Sequence, residues 1–459
     1  MDKKFIKFAD LPPNPFDTED LRDYKELGMN VCLLTEDDVK MVANGNLSEG
    51  YKQAIHNISE TGMQVWIRNM FNDCDYFQCK SHKAGTNYGD RYEMEPRNIT
   101  TEFLEFPSVT GFYMADEAYM ETLPNPPEVA WMQQMPHMAD SYKFASFDKL
   151  VTLVDWKNEY YPNAFFHMNH VPGQSWDHYL PKDGVIYDYE DFLTAYCDVI
   201  LRRVKGCGRS LCLDNYPFIG EDYMEKDYLQ DLFIASKVAR NYNASVGDND
   251  KATFGICIQT FDAKSMFDER HRDIVSPEEV TLQLYTGMAL GARLFEYFGY
   301  HSYGNEFVAI KGPDKKKRIY DKVKEANERA EQFENVLCDY DSLGGFVACG
   351  KQCTENTGAF VLLKKLVMKD DSISVSASHD TLVGCFEKEG QKGYMFVNYT
   401  DPIRKHNNVI TVKFSGAESV QFYHEGDRRT VVLNEEEMTI TLKPGDAAFV
   451  IPQIKEVLR

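Results

Sequence analysis

The residues with the strongest claim to chemistry stand where apolar runs stop. Thr110 to Glu117 is an apolar stretch that ends abruptly in two acids, Asp116 and Glu117. On a strand, the alternation of side chains puts Gly111, Tyr113, Ala115 and Glu117 on one face, and Phe112 and Met114 on the other. The bulky pair suits a face covered by helices, which leaves Glu117 facing a lumen. A carboxylate in such an enclosed rim has its pKa raised by desolvation, as a general acid requires. The bland alternative is that the acidic pair caps the next helix.

Two further carboxylates compete for a second role. Asp214 ends the run Leu211 to Leu213 and precedes Asn215, Tyr216 and Pro217. It reads equally as a partner for Glu117 or as the start of an Asx turn. Glu296 sits inside the aromatic run Phe295 to Phe298. Facing a helix layer it would be a buried charge costing several kcal/mol, so it faces a lumen or pairs with an arginine such as Arg68 or Arg293. Other strand ends supply groups suited to holding a polar substrate: Arg68, Asn69, His167, Asn169, Tyr216 and Gln259. His167 and His170 lie three apart, which on a strand turns them to opposite faces and argues against a shared metal. The sequence carries no HExxH, no paired CxxC and no GxSxG, so metalloprotease and serine hydrolase chemistry have no local support. No metal and no cofactor is expected.

These positions fall at the ends of apolar segments that alternate with amphipathic ones. Strands are expected at Phe5–Phe8, Val31–Leu34, Val65–Asn69, Val109–Ala115, Ala164–Met168, Leu211–Leu213, Ala252–Ile258 and Arg293–Tyr300. Helices are expected between them. One begins at Ser276, where a serine cap, Pro277 and Glu279 make a capping box. Eight strands separated by helices predict a parallel (β/α)8 barrel, whose active site lies at the strands' C-terminal ends. An open doubly wound sheet is the alternative, weakened by the lack of a glycine-rich phosphate loop. A charged amphipathic helix over 315–337 follows. Beyond it the pattern becomes period two, with short strands at 394–399, 409–414, 419–423, 430–433, 438–442 and 447–451, as in an antiparallel β-sandwich. The expected division is a barrel over 1–337 and an accessory domain over 338–459.

Composition narrows the partners. The formal charge of −22 over 459 residues disfavours nucleic acid and anionic membranes. The 11 cysteines lack zinc-site spacing, and Cys32, Cys212 and Cys257 lie in apolar runs, as reduced core residues do. The first residues lack the apolar core of a signal peptide, and no run reaches the roughly 18 apolar residues of a membrane span. A cytoplasmic protein acting on a neutral small molecule or polymer is expected, with homo-oligomerisation left open.

The strand ending in Asp116-Glu117 resembles the fourth strand of the large retaining group of barrel glycosidases, where Asn-Glu supplies the acid/base. The stretch from Ile256 to Gln259, through the helix of Glu278 to Arg293, to Phe295–Tyr300 is similar to the seventh strand, helix and eighth strand of family 42 β-galactosidases. The resemblance implies a barrel glycosidase acting on a carbohydrate substrate, with a β-domain behind it. Two departures stand out. Gln259 occupies the place of the family's nucleophilic glutamate, and an amide cannot attack an anomeric carbon. Asp116 replaces the usual asparagine. Asp214 or Glu296 could then be the second carboxylate, and Asp214 is preferred because it stands at the very end of a strand. A substrate N-acetyl group oriented by Asp116 could instead act as nucleophile, as in the hexosaminidases that adjacent Asp-Glu pairs resemble. From a different class, the chain could be a non-catalytic carbohydrate-binding barrel.

Overall fold

The computed structural model describes residues 5–35, 42–43, 46–68, 102–115, 147–170, 189–206, 208–218, 224, 226–261, 274, 276–302, 309–312, 318–351 and 370–454. Asn69, Asp116 and Glu117 lie outside them.

Eight strands form one sheet: β1 (Ile6–Ala9), β2 (Val31–Leu34), β3 (Gln64–Arg68), β4 (Val109–Ala115), β5 (Phe165–His170), β6 (Ser210–Leu213), β7 (Thr253–Gln259) and β8 (Leu294–Phe298). Their order is β1-β8-β7-β6-β5-β4-β3-β2, so chain order is spatial order and the two end strands are consecutive in sequence. The ladders β2–β3, β3–β4, β4–β5, β5–β6 and β7–β8 are parallel. This is the (β/α)8 barrel, with helices α1 (Thr18–Glu26), α2 (Glu49–Glu60), α3 (Phe147–Tyr160), α4 (Tyr189–Val199), α5 (Lys226–Ala244), α6 (Pro277–Ala289) and α7 (Tyr320–Leu337) between and after the strands. The expected capping box is present at Ser276 and Glu279. At α1 the cap is Asp17, whose carboxylate accepts from the main-chain N–H groups of Glu19 and Asp20.

Among the described residues, nine antiparallel strands follow. One sheet runs β9-β11-β12-β17-β14-β15, from β9 (Asp341–Ala348), β11 (Thr381–Lys388), β12 (Gln391–Asn398), β14 (Ala417–His424), β15 (Asp427–Val432) and β17 (Ala447–Ile454). The other runs β10-β13-β16, from β10 (Ile373–Ala377), β13 (Asn408–Phe414) and β16 (Glu437–Leu442). Val383, Phe396 and Val450 of the first sheet share a buried core with Ile410, Val412 and Ile440 of the second, which makes a sandwich. Three of the nine strands, β9, β10 and β11, have no counterpart in the strands expected from the sequence.

The chain groups into two compact units that interleave in sequence. One holds residues 8–214 and 241–254, and contains β2 to β6. The other holds residues 1–7, 215–240 and 255–459, and contains β8, most of β7 and the sandwich. Within this second unit, helix α6 packs on the sandwich. Thr281 Oγ1 donates to the Gly445 carbonyl at 2.7 Å. A Cβ on Gly384 would lie 2.1 Å from the Ala289 carbonyl oxygen, so only glycine permits this approach. Cys32, Cys197, Cys212, Cys257 and Cys385 are all buried. Burial pushes the thiols of Cys197 and Cys385 up to about 12, which suits packing and not nucleophilic attack. Among the described residues, no helix is long and apolar enough to cross a membrane.

Candidate active site

Strand alternation positions the candidate groups. In the unit of residues 8–214 and 241–254, Phe112 meets the rings of Phe103, Trp156 and Tyr161 on the helix side. Tyr113 points the other way, where its ring lies 4.7 Å from that of His167 and 4.5 Å from the Arg68 guanidinium. Gly111 shares that face, and a Cβ there would lie 2.6 Å from Trp66 Nε1 and 2.9 Å from Phe165 Cβ. The split expected for this strand is therefore present from Gly111 to Tyr113, beyond which the register with β5 shifts and Ala115 pairs with Met168.

His167 and Asn169 of β5 join Tyr113 on the lumen face. Nδ2 of Asn169 donates to the Tyr113 hydroxyl at 2.9 Å, and His167 Nδ1 lies 2.8 Å from Ser210 Oγ on β6. The Phe8 ring meets that of His167 edge-on at 5.2 Å, and the Trp66 ring lies tilted against it at 5.6 Å. His170 turns to the helices instead, its ring 4.2 Å from that of Tyr196 on α4. Desolvation lowers its pKa to about 3, with a smaller push from His167, so it is a neutral wall residue. Arg68 ion-pairs with Asp10, just past β1 and buried. Asp10 was missed in the sequence, although an acid directly after a candidate first strand was the available signal. Asp214 is half-buried and continues the β5–β6 ladder, its N–H donating to the His170 carbonyl at 2.8 Å. By alternation it follows Ser210 and Cys212 on the lumen face.

In the second unit, Glu296 is fully buried on β8. Its neighbours Phe295 and Tyr297 face outward: Phe295 stacks on Phe5, and the Tyr297 hydroxyl donates to Asn327 Oδ1 on α7. Glu296 therefore faces the lumen, beside Cys257 in the register of β7. Arg293, one of the two arginines considered for it, donates to the carbonyls of Cys338 and Tyr340.

Gln259 ends β7, buried, with its side chain committed to the main chain of Phe218. Its Oε1 accepts from the Phe218 N–H at 3.0 Å, and its Nε2 donates to the Phe218 carbonyl at 3.3 Å. Its own main chain is clamped by Gln283, whose Oε1 accepts from Gln259 N at 2.7 Å. Tyr216 stands on Cys257, hydroxyl to Sγ 3.6 Å. Its ring meets Phe261 edge-on at 4.8 Å and stacks near Phe298 at 6.2 Å. Phe261, itself buried, packs edge-on against both Tyr216 and Phe298, which are partly exposed and whose rings a sugar could meet. Neither Phe261 nor Phe298 was singled out in the sequence, because aromatic residues in apolar runs look like core.

No protein-family model matches the sequence, and no curated protein matches it. Solved structures do resemble the fold. A β-galactosidase from Bacillus circulans sp. alkalophilus superposes with a TM-score of 0.58 at 9% identity, covering 98% of this chain and 99% of that one. A catalytic mutant of a family 42 β-galactosidase from G. stearothermophilus gives a TM-score of 0.58 at 8% identity, covering 98% of both chains. The likeness of fold thus runs along almost the whole length of the chain.

Proposed function

We propose that the chain is a glycoside hydrolase that cleaves an O-glycosidic bond, with Glu117 as general acid/base and Asp214 as the second carboxylate. The observation that carries this reading is the orientation of β4. Gly111 and Tyr113 lie on the lumen face, and Glu117 lies four residues beyond Tyr113 in sequence, past a register shift between Tyr113 and Ala115. Asp214 follows β6, two strands away from β4 across β5, where Ser210 touches His167. Fold kinship with β-galactosidases over the full chain supports the reaction class. Glu296, deeper on its strand, holds substrate or orients the site. Asp116, Asn69, Arg68, His167 and Asn169 bind sugar hydroxyls, and Tyr216 stacks on a ring. The thiols in the core favour a reducing, cytoplasmic setting.

Turnover on a panel of aryl glycosides, begun with β-galactosides, tests the assignment. General acid catalysis contributes about 10² to 10⁴-fold, so Glu117→Gln should lower kcat by that factor with KM little changed. Unchanged turnover removes Glu117 from the reaction. If Asp214→Asn retains activity and Glu296→Gln abolishes it, the second role passes to Glu296.

One observation favours a second reading, a carbohydrate-binding barrel without hydrolysis. The end of β7, where the family resemblance places a nucleophile, carries an amide fully engaged in holding Phe218. Saturable sugar binding without turnover on any glycoside would establish that reading.

A further inference from the structure

We propose that His424, Glu425 and Asp446 form a site for a divalent metal of the zinc type, in the sandwich and separate from the barrel chemistry. His424 is the last residue of β14, Glu425 opens the turn into β15, and Asp446 immediately precedes β17, the strand paired with β14. One ligand atom from each residue lies within 4.8 Å of the others. His424 Nε2 and Asp446 Oδ2 are 2.7 Å apart and share a hydrogen bond, which a metal ion replaces when both turn their lone pairs to it.

The donor set selects the class of ion. An imidazole with two carboxylates suits zinc, copper or nickel, whereas calcium and magnesium take oxygen donors alone. Three protein ligands leave a fourth position, as in open zinc sites. Asp446 is already oriented, because its Oδ1 accepts from the Ala447 N–H at 2.8 Å. The turn is also anchored, with Gly426 N–H donating to Gln332 Oε1 on α7 at 2.6 Å.

The surroundings attract cations. Glu425 and Asp446 line a cavity of about 1080 Å³ between α6, α7 and the sandwich, whose described lining has six acidic side chains and three basic ones. One basic group competes directly: Lys443 pairs with Glu425. The Lys443 side chain is 70% exposed, so it can swing into solvent at little cost when a metal takes its place.

The test is titration of the full-length, chelator-treated protein with cobalt(II) and zinc(II), followed by calorimetry and by cobalt absorption. One equivalent should bind, with nitrogen and oxygen d–d bands and no thiolate charge-transfer band. His424→Ala and the milder Asp446→Asn should each weaken that site roughly tenfold or more. Lys443→Ala should tighten it, since it removes the competing ammonium. The proposal is overturned if no stoichiometric site appears, if the cobalt spectrum shows thiolate ligation, or if the His424 and Asp446 variants bind as the unaltered protein does. Glycosidase activity enters none of these readouts, so failure of the functional proposal leaves this test intact.

Discussion

His170 offers a quantitative test of the barrel wall. Its ring is buried against Tyr196 and Phe192, and desolvation lowers its pKa from the ordinary 6.5 to about 3. The folded protein therefore binds this proton less readily than the unfolded chain. The neutral ring contributes its full stability above pH 6.5, and that contribution falls as pH drops below 6.5, until it levels off near pH 3. At about 1.36 kcal/mol per unit, lowering the pH from 7.5 to 5.0 should cost about 2 kcal/mol through this residue. Urea denaturation of the protein and of His170→Phe, at both pH values, isolates the effect. Phenylalanine keeps a ring against Tyr196 but does not titrate, so the stability lost on acidification should be about 2 kcal/mol smaller in the variant. His379 is also depressed, by burial and by the stacked His406, and acts with the same sign, but it is common to both proteins and cancels. Equal losses in the two proteins would refute the reasoning, because His170 would then be titrating as freely in the fold as in the unfolded chain.

Two further substitutions probe packing. Gln259→Ala removes both hydrogen bonds to the Phe218 main chain and leaves buried amide groups without partners; a loss of about 2–4 kcal/mol is expected in equilibrium unfolding. Gly384→Ala drives a methyl group against the Ala289 carbonyl, and should lower stability by about 3 kcal/mol, read as a fall in Tm, while Gly247→Ala, whose Cβ would meet nothing nearer than Asp250 Oδ2 at 4.0 Å, should show no steric cost of this kind.

The barrel was legible because its strands are apolar runs broken by helices. Val31–Leu34 and Val109–Ala115 have the expected bounds, and the other six are displaced by one or two residues at an end. The sandwich was half legible. β13 and β16 alternate buried and exposed residues, which a sequence displays directly. β11 does not, since its first six residues are buried on both faces, and Gly384 among them looks like a break. β9 carries a bulge between Ser342 and Gly344, with Gly344 at φ +104°, which disrupts its period. At the site, the lumen side of Glu296 followed from its aromatic neighbours. The clamp on Gln259 could not be read, because Phe218 lies 41 residues upstream and offers only main-chain atoms.

The first strand is divided between the two units, and this sets a schedule for the nascent chain. Phe8 and Ala9 find early partners: the Phe8 ring meets Trp66 at 5.2 Å, and Ala9 N–H donates to the Tyr24 hydroxyl at 2.6 Å. Phe5, Ile6 and Lys7 have theirs far downstream, in Phe295, the Arg293 carbonyl and Glu334. A ribosome adding about 5–20 residues per second needs roughly 15–65 s to reach Glu334 after Lys7. For that interval the edges of β1 and its neighbours stay open while most of the sheet already exists. The strand made first is thus completed among the last, and the unfinished sheet is exposed to pairing with other chains until it is.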